Sequence, residues 1–139
     1  MKKTLFHAVL LSALFGAPAS LAQGDLPIRG PDYFRDAANL ASTLGSAHAI
    51  RVRCNGRDDQ YWRSYMRTLL DYEAPNRGNL RSSLVDRFNG AYSDISARHL
   101  ACDQRAIDAE SRFATDGQAI SGRMAAHYFP KRSQRSTPE

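Results

Sequence analysis

The chain has 139 residues, 19 of them Lys or Arg and 14 Asp or Glu, for a formal net charge of +5. That length fits one domain, and its two cysteines allow a single intramolecular pair. Its basic residues are nearly all Arg set between acidic neighbours, so the charge describes a solvated surface and argues against nucleic acid as the partner.

The first element is a leader. Lys2 and Lys3 precede an apolar run from Leu5 to Phe15, broken only by His7 and Ser12. Gly16 and Pro18 end that run, and Ser20-Leu21-Ala22 supplies the small residues that a signal peptidase requires. Residues 1–22 are therefore expected to be a cleaved signal peptide, with Gln23 as the new N-terminus and a periplasmic destination. The apolar run is too short for a permanent span, and no other stretch is apolar enough to make an integral membrane protein. Removing 22 of 139 residues leaves 117, and the charge falls from +5 to +3 with Lys2 and Lys3 gone.

Residues 23–31 (QGDLPIRGP) carry Gly and Pro without periodicity and read as a flexible lead-in. The helical domain follows over 32–129. A first helix is predicted over about 32–53 with Asp32 as its cap; Tyr33, Ala37, Leu40, Leu44 and Ala47 share a stripe, with Ala41, His48 and Val52 beside it. Asn55-Gly56 breaks the pattern, and Asp58 is positioned to cap a second helix over about 59–74. There Trp62, Met66, Leu69, Leu70 and Glu73 fall together, flanked by Tyr65 and Tyr72, and Pro75 stops the helix. A third helix is predicted over about 80–101, capped by Asn79, with Leu84, Phe88, Ala91, Ile95 and Cys102 along one stripe. Asn89 and Gly90 stand against helix propensity in its middle, and Gly90 marks either a close crossing or a kink. Asp103 caps a fourth helix over about 104–129, whose stripe runs from Ala106 through Glu110, Phe113, Gly117, Ile120 and Met124 to Tyr128. Pro130 ends it, and residues 130–139 read as a basic, disordered tail. With no sustained strand alternation, the expected fold is all-α: an antiparallel bundle of about four helices.

Short connections in such a bundle bring Cys54, after the first helix, and Cys102, at the third-to-fourth junction, to the same end. An exported protein oxidises its thiols, so a Cys54–Cys102 disulfide is expected. The competing roles are weak. His48 stands nearly two turns from Cys54, and His99, Cys102 and Asp103 are too few and too irregular for zinc. No metal or cofactor motif is present.

The segments LGSAHAIRVRC, WRSYMRTLLDYEAP, LVDRFNGAY and DGQAISGRMAAHY, with a lone Cys102, resemble a family of small exported alphaproteobacterial proteins described as a domain of unknown function. The likeness covers about residues 33–128 and falls on Leu44, Cys54, Trp62, Arg63, Met66 and Leu70, then on Glu73, Phe88, Asn89, Tyr92, Cys102 and Gly117. Ala49 departs from it, since the family often has an aromatic residue after this histidine. The resemblance implies export and a disulfide and supplies no reaction.

Trp62, Arg63, Glu73, Asn89 and Tyr92 form the candidate binding surface, because Trp, Tyr and Arg are the residues that anchor interfaces. Packing competes for Trp62, and ion pairing with Arg competes for Glu73 and for Glu110. The leading expectation is a non-enzymatic binding protein of the cell envelope whose partner is an envelope protein or an anionic envelope component. The alternatives are a cell-wall-acting enzyme that uses Glu73 or Glu110, and a small periplasmic chaperone.

Overall fold

A computed structural model describes residues 29–128. The expected leader over 1–22, most of the lead-in over 23–31 and the tail over 130–139 lie outside the described residues. Four helices fill the rest: α1 (Pro31–Asn55), α2 (Tyr61–Glu73), α3 (Asn79–Arg98) and α4 (Gln104–Tyr128). They run up and down in chain order, and the chain is an all-α bundle, as the periodicity predicts.

Several helix ends differ from the sequence reading, each for a local reason. Helix α1 starts at Pro31, whose fixed φ suits the first helical position, with Gly30 extended before it. Asp32 is thus inside the first turn, where it pairs with Arg35 at 2.8 Å instead of capping. Gln60 is the cap residue of α2, and Asp59 just before it, not Asp58, accepts the Tyr61 backbone N–H at 3.1 Å. Asn79 is the first residue of α3, not its cap. That helix stops at Arg98, so Leu100 to Cys102 form a junction and Cys102 is not on the α3 stripe. Asp103 does cap α4, accepting the Ala106 N–H at 2.9 Å. Arg81 reaches back to the last turn of α2, donating to the Leu70 and Ala74 carbonyls at 3.1 and 2.9 Å.

The arrangement around the core is less regular than a square bundle. Helix α1 is the hub: α2, α3 and α4 all pack on it, whereas neither α2 and α4 nor α3 and α4 bring any Cα pair within 8 Å. Every residue of α1 from Leu44 to Ile50 is buried, which one apolar stripe does not require. Gly45, Ser46, Ala47 and Ala49 make this possible, because small side chains let several helices close on one. Helix α3 approaches closest. A Cβ at Gly45 would collide with the Phe88 backbone carbonyl, whereas Gly90 is exposed with open space around it. The close crossing is at Gly45, and Gly90 has no part in it.

One core joins Tyr33, Leu40, Leu44, Met66, Leu84 and Phe88 with their neighbours on α4. A smaller one holds Ala49, Ile50, Ile95 and Ala106 beside the disulfide. Cys54 and Cys102 are bonded (S–S 2.00 Å, Cα–Cα 5.0 Å), joining the end of α1 to the α3–α4 junction. Among the described residues no helix is long and apolar enough to cross a membrane.

Candidate functional site

Because α2 and α4 both rest on α1 with no Cα of one within 8 Å of the other, a groove runs between them. It encloses about 760 Å³, within the range of ligand pockets, which run to roughly 300–1,000 Å³. Its floor is α1, through Leu40, Thr43, Leu44 and Ala47. One wall is aromatic: Tyr61, Trp62, Tyr65 and Tyr72 of α2. Positions 61, 65 and 72 share one face because they are four and seven residues apart. The opposite wall carries small residues of α4, namely Ala114, Gly117, Ser121 and Ala125, bounded by Phe113 and Met124. Small side chains on α4 are what leave the space unfilled; Gly117 meets only Thr43 and Leu40, at ordinary contact distance.

The aromatic wall is held as a stack. Tyr61 meets Trp62 edge-on with centroids 4.8 Å apart and Tyr65 at 5.3 Å, and Trp62 lies 5.7 Å from Tyr65. Tyr61, Tyr65 and Tyr72 are nonetheless 45, 49 and 77% exposed, so they present ring surface to solvent that the core does not use.

An ion pair stands near each end of the α2 wall. At the lower end Glu110 accepts from Trp62 Nε1 at 2.7 Å and from Arg51 at 3.3 Å. Arg51 also donates to Asp59 at 2.9 Å and stacks over Tyr61 at 4.7 Å. The Asn55 amide, the Tyr61 backbone N–H and Arg51 together hold the Asp59 carboxyl below its ordinary range. At the upper end Arg29 donates to the Glu73 carbonyl at 3.1 Å, approaches its carboxylate at 3.1 Å and stacks over Tyr33 at 5.4 Å. Trp62 and Glu73 are eleven residues apart on one helix, about 16 Å at 1.5 Å per residue. Glu73 and the Glu110 carboxylate held by Trp62 are thus attached to opposite ends of α2, and do not share one site as the paired carboxylates of a hydrolase do.

Of the five residues of the candidate surface, the structure gathers two. Trp62 and Glu73 line the groove. Arg63 points elsewhere, 5.9 Å over the Phe88 ring, and Asn89 is exposed on α3. Tyr92 is half-buried against His48, with ring centroids 5.6 Å apart. His48 is 3% exposed between Phe88 and Tyr92, and its Nδ1 has no hydrogen-bond partner among the described residues. Burial, then the nearby Arg63, pushes its pKa below the usual 6.5, with Asp59 opposing. Sequence reasoning did not select Tyr61 and the small face of α4. The available signal was four aromatic residues within twelve positions of α2, more than a single core stripe absorbs.

A family model described as "Protein of unknown function (DUF2385)" matches residues 32–128, so the chain belongs to that family. No curated protein matches the chain. No solved structure matches it either.

Proposed function

We propose that this family member is an exported, non-enzymatic binding module of the cell envelope whose α2–α4 groove holds an extended apolar segment of a partner protein. One observation carries the reading: an open groove of about 760 Å³ with a solvent-facing aromatic wall and a wall of small residues. Aromatic-lined grooves suit extended, proline-containing chains, which stack on rings and lose little entropy on binding. Glu73 and Glu110 each already meet an arginine, and Glu73 lies about 16 Å by helical rise from Trp62, the residue that holds Glu110. That geometry favours orientation of a ligand over hydrolysis. The groove's size suits one segment, not the broad face a chaperone offers its clients. The disulfide and the charged, apolar start of the sequence support an oxidising compartment.

The test is titration with N-phenylnaphthylamine, an apolar fluorescent probe. The protein is expected to bind it saturably at one site. Replacing Tyr65 and Tyr72 together by Ser removes groove wall and no core, so probe affinity should fall at least fivefold while the melting temperature holds. Equal affinity in both proteins would place the probe elsewhere and refute the groove.

A further inference from the structure

Resting on that reading, we propose that the segment received by the groove carries a basic side chain, whose ammonium or guanidinium group replaces Arg29 at a cation site formed by Glu73 and the ring of Tyr33. Charge is the first ground. Among the residues that line the groove, Glu73 is the one charged side chain. The chain as a whole is basic, with 19 Lys and Arg against 14 Asp and Glu, so the groove's charge is opposite in sign to the molecule's. One carboxylate at the end of an apolar trough sets both the sign and the direction of its occupant: apolar groups along the floor at Leu40 and Leu44, a cation at Glu73.

The groove's rings supply the second ground, because two of them already receive guanidinium groups. Arg29 lies over Tyr33 at 5.4 Å and Arg51 over Tyr61 at 4.7 Å, the geometry in which a ring face attracts a cation. At the upper end ring and carboxylate act on the same group, since Arg29 is also 3.1 Å from Glu73 Oε2.

The hydrogen bonds say which carboxylate can exchange its cation. Glu110, near the lower end, is committed: its Oε1 accepts from both Trp62 and Arg51. Glu73 Oε2 is buried and accepts no hydrogen bond among the described residues, while Arg29 donates to the Glu73 backbone carbonyl instead. A buried acceptor without a donor is unfavourable, so a ligand's N–H aimed at Oε2 gains a bond that Arg29 does not make. Arg29 is also the outer partner, with its side chain 35% exposed against 14% for Glu73. Exchanging Arg29 for a ligand's cation therefore keeps the carboxylate paired and returns Arg29 to water.

The experiment is displacement of N-phenylnaphthylamine at pH 7.5 by three ligands with one tail and different heads: decylamine, decanol and decanoate, each below its micelle concentration. In the native protein half-displacement should come first with decylamine and last with decanoate, about tenfold apart or more. Glu73→Gln keeps the side chain's shape and removes its charge, so it should still bind the probe and lose the preference for decylamine. Arg29→Gln removes the resident cation. If Arg29 holds the site roughly nine-tenths of the time, that variant should bind decylamine about tenfold more tightly. Equal displacement by decylamine and decanoate in the native protein would overturn the cation site while leaving the groove intact. So would a preference that survives in Glu73→Gln, or decylamine affinity that does not rise in Arg29→Gln. Should Glu73→Gln fail to fold, the native protein and Arg29→Gln decide by the same criteria. Failure of the native protein to bind the probe would instead remove the groove reading, and the cation site with it.

Discussion

Two glycines show how single positions set this packing. At Gly45 an added methyl would meet the backbone of α3, which cannot rotate away as a side chain can. Overpacking of this kind costs about 1–3 kcal/mol, so Gly45→Ala should lower the melting temperature by roughly 5–20 °C. Gly90 is exposed in the middle of α3 with nothing nearby. Gly90→Ala should therefore stabilise, by up to about 1 kcal/mol of helix propensity. Thermal melts of the two variants are expected to move in opposite directions; a shift of the same sign in both would contradict the assigned crossing. His48 makes a second residue-level prediction. Its folded pKa lies below the unfolded value of about 6.5, so on acidification the unfolded chain takes up a proton first. Stability is then fully present above about pH 6.5 and is lost as pH falls from there to the folded pKa. Asp59 and Asp103, whose pKa values are lowered from 3.8, titrate below this window. Melting temperatures measured from pH 7.5 to 5 should fall in the native protein and fall less in His48→Leu. Parallel profiles would show that another group carries the slope.

At the scale of elements, periodicity made all four helices legible, because each has to bury a stripe and the turns between them carry Gly, Asn and Pro. Their ends were less legible. Asp58 and Asp59 are adjacent, and only the backbone path decides which of them accepts the first N–H of α2. Nor did a stripe reveal that α1 is enclosed on all sides from Leu44 to Ile50, since Gly45, Ser46 and Ala49 carry little hydrophobic signal yet allow the closest approach. The Cys54–Cys102 pairing was legible because helix direction brings the two cysteines to one end, two cysteines allow one intramolecular pair, and the expected export supplies oxidising conditions. That bond closes a separation of 48 residues and should contribute about 2–4 kcal/mol. Cys54→Ser and Cys102→Ser should each lower the melting temperature by roughly 10–20 °C. The double replacement should add little, since either single change already removes the bond. Additive losses would mean that the cysteines act separately from their bond.

For the molecule as a whole, the groove follows from the hub arrangement. Three helices packed on one leave gaps between those whose backbones stay apart, and a gap closes only where side chains are large enough to fill it. Ala114, Gly117, Ser121 and Ala125 are too small to reach across to α2. This is also why the site was only half legible in the sequence. Trp62 and Glu73 stand out by residue type, whereas the opposite wall is defined by what its side chains lack. Arg63, Asn89 and Tyr92 drew notice for the same chemical reasons and lie away from the groove, because residue type alone does not say which face of a helix remains uncovered. The central claim is that the gap between α2 and α4 receives an apolar ligand. Energy transfer from Trp62 to bound N-phenylnaphthylamine tests it most directly, since the donor is unique and lies in the groove wall. The account predicts saturable quenching of Trp62 at one probe per chain, with matching sensitised probe emission, both needing at least fivefold more probe in the Tyr65→Ser, Tyr72→Ser double variant. Probe fluorescence that rises without quenching Trp62, or transfer unchanged in that variant, would contradict it.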